Sequence, residues 1–362
     1  MNNPVYLHSF HSILPPYHLN QQKIVDWTLL AHKEAGGEEK ALRIMERFCL
    51  SEKQISARYY ECPDVDANWD SHKIYKISQD TPHGVDIEVR NHFFAQAAQR
   101  VFGEMYYSAD YPSHLIHVTC TGYVSPSAPQ VYFQDKKNTP AITHAYHMGC
   151  YASLPSVRMA SSLATSTQKK IDIVHTEMCS LHLDPSNHTP EQMVVQTLFA
   201  DGHMKYSVSE KSEGAGFKIL SVKEKLVPHS LSDMTWIPAA YGMKMTLSRE
   251  VPSKIGDSLP EFIQEMCEEN GVDAGVIFKN AVFAIHPGGP KIIESVQKKL
   301  ELTDVQVSSS KKVLFERGNM SSATLPHVWQ EILFQKPQPE TYVVSLAFGP
   351  GLTIFGSLFQ VS

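Results

Sequence analysis

The stretch TYVVSLAFGPGLTIFGSLFQVS, Thr341 to Ser362, carries no charged residue. As a helix it would be long enough to cross a bilayer. But Gly349-Pro350-Gly351 lies in its middle and would break a helix, and its flanks are rich in Val, Phe, Ile and Tyr. The stretch therefore reads as two buried strands joined by a tight turn, not as a membrane span.

The rest of the chain supplies what such strands pack against. SHLIHVTC (113–120) and KIDIVHTEMCSL (170–181) are strand-like. SLPSVRMASSLATS (153–166) is a helix with small residues on several faces, a pattern that suits burial all round. EQMVVQTLFADG (191–202) reads as a helix ending near Gly202, and LPEFIQEMCEENG (259–271) as one closed by Gly271. AVFAIHPGGPKIIESVQKKL (281–300) is strand, Gly-rich turn and amphipathic helix. VLFERGNMSSATLPHVWQEIL (313–333) opens on a short apolar run and ends as a helix, with Ser321 and Ser322 as N-terminal caps. Recurrent strand-turn-helix units predict an α/β class with helices on the sheet faces. At 362 residues the chain is long for one core, so two lobes are expected. The polar stretch 207–218 reads as a surface hairpin or loop and divides the chain into halves 1–220 and 221–362.

With a net charge of −6 and no basic block, non-specific nucleic-acid binding is excluded, and an anionic ligand needs a local patch. The six cysteines are scattered without a C-x-x-C pair, which suggests neither a metal site nor a disulfide framework. The N-terminal MNNPVYLHSFHSILPP has no basic n-region or apolar h-region. A cytoplasmic protein is expected.

Three Gly-flanked corners, read as strand-to-helix junctions, carry reactive residue types: Cys150 in HMGCYAS, His286 in AIHPGGP and Asn319 in ERGNMSSA. Strand-end corners are where α/β sheets place their sites. A thiol at a helix N-terminus has its thiolate stabilised by the helix dipole. His and Asn N–H groups can both donate to an oxygen that becomes negative. Taken singly, each residue has an ordinary structural role as well. The chain order Cys, His, Asn is also that of papain-like cysteine peptidases, whose His and Asn follow about 130–150 residues after the Cys. No C-G-[SA]-C-[WY] motif surrounds Cys150, which speaks against that reading.

The blocks GCYASLPSVRMASSL, HPGGPKIIESVQKKL, GNMSSATLPHVW and FGPGLT resemble, in order, the signature blocks of thiolase-fold condensing enzymes. The type most similar is the chalcone-synthase-like, or type III, polyketide synthases, with ketosynthase III-like enzymes beside them. The resemblance spans about positions 85 to 355. It implies two similar α/β/α/β/α halves in a homodimer, and no metal or redox cofactor. Cys150 would be the acylated nucleophile, kept ionised by His286. His286 and Asn319 would hold the enolate formed from a malonyl unit. Gly351 would bring a backbone N–H beside that of Cys150 as an oxyanion hole. Phe199 resembles the family's gatekeeping phenylalanine. Glu177 and Ser321 resemble positions of a polar network that influences cyclisation.

The implied reaction is Claisen condensation of acyl thioesters through an acyl-Cys intermediate, giving a polyketide pyrone or resorcinol. Two departures shape the expectation. Cys179 and His182 stand where plant members commonly carry cavity-lining threonines. In the early segment ALRIMERFCLSEKQISARYY (41–60), Arg47 and Lys53 match basic residues that hold coenzyme A, whereas a third basic position falls on Ile44. Weak phosphate clamping leaves an acyl carrier protein open as the donor. HMGCY, HTEMCSLH and LFADG are similar to the myxopyronin and corallopyronin ketosynthases, which join two carrier-bound β-ketoacyl chains into an α-pyrone. That non-decarboxylative route stays open, as does a catalytically silent acyl-binding homologue.

Overall fold

The computed structural model describes residues 3–362. Its strands are β1 (Val5–Ile13), β2 (Tyr17–Asn20), β3 (Ala57–Tyr60), β4 (His114–Thr119), β5 (Ala141–Tyr146), β6 (Ile171–Met178), β7 (Asp201–Ser209), β8 (Gly216–Leu226), β9 (Met234–Pro238), β10 (Met243–Leu247), β11 (Val282–Ile285), β12 (Tyr342–Gly349) and β13 (Thr353–Val361). Nine of them form one sheet in the order β11-β12-β13-β8-β1-β7-β6-β4-β5. The sheet has an internal symmetry. From β1 outward, β7 and β6 pair antiparallel and β4 joins β6 parallel. From β8 outward, β13 and β12 pair antiparallel and β11 joins β12 parallel. The two arms meet where β1 and β8 pair, and the division near residue 220 falls inside β8.

The charge-free C-terminal stretch forms the antiparallel pair β12–β13, turning at Pro350–Leu352, with nearly every residue buried. Two helices fill the centre, Ser153–Thr167 and Thr324–Phe334. Leu154, Val157, Ala160 and Ala164 from the first share one apolar core with Leu325, Val328 and Trp329 from the second. Small residues on the first helix permit this closeness, and its Ser156 hydroxyl is satisfied by Ala152 O at 2.7 Å. The Trp329 indole is fully buried and donates to Ser345 Oγ at 2.8 Å.

Five local expectations need correction. The helix expected over 191–202 spans Pro190–Leu198, and Gly202 lies in β7. The helix expected from 259 begins at Val251 and runs through Pro260 to Glu269. The stretch 207–218 is a surface loop only over 210–215, since its ends belong to β7 and β8, and it is not a hairpin because β1 lies between those strands. Asn319 stands at a helix-to-helix corner, after Ser308–Arg317, and not after a strand. Ser321 and Ser322 do not cap the following helix, since their hydroxyls are used elsewhere.

Among the described residues no helix is long and apolar enough to cross a membrane. The antiparallel hairpin β9–β10 stands apart from the main sheet.

Candidate active site

Cys150 follows β5 on a short 3₁₀ turn, Gly149–Tyr151, at the head of the central helix Ser153–Thr167. Gly149 has φ +75°, a conformation that favours glycine, and a Cβ there would lie 3.2 Å from Pro350. The Gly-Pro-Gly turn therefore abuts the cysteine turn. Tyr151 stacks on Phe355 at 5.1 Å, and its ring fills the space a side chain at Gly349 would need. Gly351 has φ +127° in the same turn.

His286 directly follows β11, and its N–H donates to Leu346 O at 2.7 Å. The side chain is buried and neither ring nitrogen has a hydrogen-bond partner. Buried polar groups are normally satisfied, so an imidazole orphaned on both sides and lining a cavity marks a position for a ligand. Burial pushes its pKa down to about 3, so it is a neutral imidazole. Asn319 is fixed by its own loop: Oδ1 accepts from Ser321 N–H at 2.9 Å and from Thr324 Oγ at 3.3 Å. With the oxygen so engaged, the amide N–H groups are left to face Cys150, whose thiolate they help to stabilise.

Burial nevertheless pushes the Cys150 thiol up to about 12, with Glu177 adding to the rise, against the lowering by Ser321 and Asn319. The ion pair expected between Cys150 and His286 is absent: the imidazole makes no bond to the sulfur and is itself held neutral. Both partners are uncharged in this geometry.

Beneath the cysteine lies a buried polar network. Glu177 accepts hydrogen bonds from Ser322 Oγ, from Thr121 Oγ at 2.8 Å and from Cys120 N–H at 3.1 Å. Burial raises its pKa, and these donors counter the rise. Ser321, at φ +50°, places its hydroxyl 3.0 Å from the Cys120 sulfur and 3.9 Å from the Cys150 sulfur. His182 is locked as one tautomer: Nε2–H donates to Thr121 O at 2.8 Å and Nδ1 accepts from Met243 N–H at 3.1 Å. Cys179 is a buried thiol held well above its usual range by desolvation.

Two cavities meet at Cys150. An inner one, about 650 Å³ of atom-free space, is lined by Cys120, Cys179, His182 and Ser321, and by hairpin residues Trp236 and Met243. An outer one, about 1990 Å³ including solvent at its mouth, holds His286 and Asn319. Phe199, Met234 and Met245 line both and form the neck beside the cysteine. Phe199 is tied to Asn319 through the backbone: Asn319 N–H donates to Leu198 O at 3.0 Å and Ala200 N–H to Asn319 O at 2.8 Å. Arg47 lines the outer mouth together with Arg249 and Lys291. Lys53 does not line it, and Ile44 is an exposed residue outside it. Motif reading named Cys150, His286 and Asn319, which line the outer cavity together, but missed Met234, Met245, Arg249 and Lys291. Only their convergence in space marks them.

Residues 218–361 match the family described as chalcone and stilbene synthases, C-terminal domain. The chain is 25% identical to the alpha-pyrone synthesis polyketide synthase-like Pks18 of Mycobacterium tuberculosis over 95% of its own length and 88% of that protein. It is 26% identical to type III polyketide synthase C of Arabidopsis thaliana, over 68% of this chain and 67% of that one. A probable polyketide synthase of Dictyostelium discoideum is 30% identical over 68% of the chain, which spans 8% of that protein's length. The fold matches the C-terminal type III polyketide synthase domain of Steely1 from Dictyostelium, with a TM-score of 0.85, 23% identity and 99% coverage of both chains. It also matches 1,3,6,8-tetrahydroxynaphthalene synthase from Streptomyces coelicolor, with a TM-score of 0.80 and 22% identity over 98% of this chain and 99% of that one. The fold is thus that of these type III polyketide synthase structures and not the one a papain-like reading would require.

Proposed function

We propose that this chain, which belongs with the type III polyketide synthases, forms carbon–carbon bonds by Claisen condensation of acyl thioesters on Cys150. The observation that carries this reading is the orphaned His286 imidazole in the cavity that also contains Cys150 and the Asn319 amide. Neutral N–H donors fixed in a water-poor site stabilise an oxygen whose charge appears only as the reaction proceeds.

In this reading the Cys150 sulfur attacks the carbonyl of an acyl thioester and expels the carrier thiol. The backbone N–H groups of Cys150 and Gly351 hold the carbonyl oxygen. A malonyl thioester then occupies the outer cavity, its carbonyl oxygen against His286 and Asn319. Loss of carbon dioxide leaves an enolate there. Its carbon attacks the acyl group and returns Cys150 to the thiolate. The chain grows into the inner cavity, past the neck at Phe199, beside the Glu177–Ser321 network. The product is a pyrone or resorcinol, and the working unit is a homodimer in the cytoplasm. Arg47, Arg249 and Lys291 at the outer mouth support coenzyme A as the donor, through its phosphates.

Intact-protein mass after mixing with acyl thioesters on coenzyme A and on a carrier protein tests this. An acyl adduct is expected on the wild type and not on Cys150→Ala, followed by release of a condensed product with malonyl thioester. No adduct from either carrier would refute the mechanism.

A further inference from the structure

The inner cavity has a second neighbour. A surface cleft of about 860 Å³, solvent included, is lined by His83, Ser186, Asn187, His188 and Lys244. Asp184 and Tyr241 line both the cleft and the inner cavity, so the wall between them is one residue thick. Tyr241 stands in the tight turn of the β9–β10 hairpin, where Ala239 and Gly242 exchange backbone hydrogen bonds. Its hydroxyl donates to Asp184 Oδ2 at 2.9 Å, and its ring stacks on His83 at 4.0 Å. Asp184 Oδ1 is separately held by Ser186 Oγ at 2.8 Å and His83 Nδ1 at 3.0 Å. The carboxylate is therefore anchored on one oxygen, while its other oxygen depends on the tyrosine latch.

We infer that the Asp184–Tyr241 contact is a latch at the far end of the acyl cavity, and that this enzyme takes long acyl chains ending in a hydroxyl or an amide N–H. The inference rests on the acyl-Cys150 reading above. A chain too long for the inner cavity has to displace Tyr241, which strips Asp184 Oδ2 of its donor. An alkyl end leaves that buried acceptor unpaired, and an unpaired buried acceptor is costly. A terminal hydroxyl or amide replaces the lost bond and leads into a cleft of polar side chains. A terminal carboxylate meets the Asp184 carboxylate and is disfavoured.

The test is the single-turnover acylation rate of Cys150 with two length series, straight-chain acyl and ω-hydroxyacyl thioesters matched in heavy atoms. Each series is offered on coenzyme A and on a carrier protein. Short chains should show no preference. Beyond the length at which the alkyl series falls away, the ω-hydroxy series should lead by about tenfold, which is about 1.4 kcal/mol. Asp184→Ala should collapse that preference. Tyr241→Phe removes the latch bond but keeps the ring, and should speed long chains of both series several-fold relative to short ones. Equal rates for the two series at every length, or a Tyr241→Phe variant with unaltered long-chain rates, would overturn the inference. Absence of any adduct would instead refute the acyl-Cys150 reading itself.

Discussion

Asn319→Asp separates loading from condensation. The carboxylate is isosteric with the amide and keeps an oxygen for both bonds that order the loop, from Ser321 N–H at 2.9 Å and Thr324 Oγ at 3.3 Å. The fold should therefore survive. What disappears is the N–H donor facing the outer cavity, replaced by a negative oxygen. Losing one oxyanion donor costs about 2.7–4 kcal/mol, or about 10²–10³ in turnover. Loading should suffer much less. Burial is the largest influence on the Cys150 thiol, and the Asn319 amide contributes less than Ser321 or Glu177. Rapid-quench acylation followed by intact mass reads the first step, and carbon dioxide release from malonyl thioester reads the second. The expected result is condensation lowered by about 10²–10³, with loading changed by no more than about tenfold, one pKa unit of thiol reactivity. Condensation at the wild-type rate, or equal loss of both steps, would refute the assignment of Asn319 to the second step.

The remaining predictions concern ionisation, the mouth and the cysteine turn. Alkylation of Cys150 by iodoacetamide should rise about tenfold per unit between about pH 6 and pH 9, because the thiolate is the nucleophile and the thiol titrates far above that window. His286, neutral above about 3, adds no charge to flatten the curve. A plateau at neutral pH would reveal an ion pair that this geometry lacks. Arg249→Ala and Lys291→Ala should each raise KM for coenzyme A thioesters about two- to fivefold, in keeping with exposed charge contacts of about 0.2–1 kcal/mol, an effect that added salt weakens. Lys53→Ala, outside the outer cavity, should leave KM unchanged. Gly349→Ala places a Cβ 2.2 Å from the Tyr151 ring, so it should destabilise the fold by about 1–3 kcal/mol in denaturant titration. It should also slow loading, since Tyr151 adjoins the nucleophile. An unperturbed loading rate would show that the cysteine turn does not depend on that ring.

The convergence of Cys150, His286 and Asn319 on one cavity was legible because each sits in a short loop whose chemistry is local. Gly149 needs a positive φ, His286 precedes a Gly-rich turn, and Asn319 orders its own corner. The paired strands at the C-terminus were legible from an uncharged run broken by Gly-Pro-Gly. The walls were not. Met234, Trp236, Tyr241, Met243 and Met245 belong to a hairpin with partial exposure and no motif, and only its docking over the inner cavity gives those side chains a task. Arg249 and Lys291 lie far in sequence from Arg47, so no local pattern joins them. The helix before Asn319 was missed because SSSKKVLFER alternates too weakly to show an apolar face, and its N-terminus at Val307 has no side-chain cap. That His286 keeps Cys150 ionised was implied by the resemblance, whereas burial in this geometry favours the neutral form of both groups.

The backbone bridge between Phe199 and Asn319 has a consequence for any attempt to re-tailor this protein. The residue that sets the bore of the neck and the residue that offers the amide are held in register by the same pair of hydrogen bonds. Side-chain exchange at 199 changes the bore and leaves those bonds alone. Lengthening or shortening the link between Leu198 and Ala200 shifts the amide with it. Substitution at 199 is therefore expected to shift chain-length preference with the amide left in place, whereas an insertion or deletion in this link is expected to displace it.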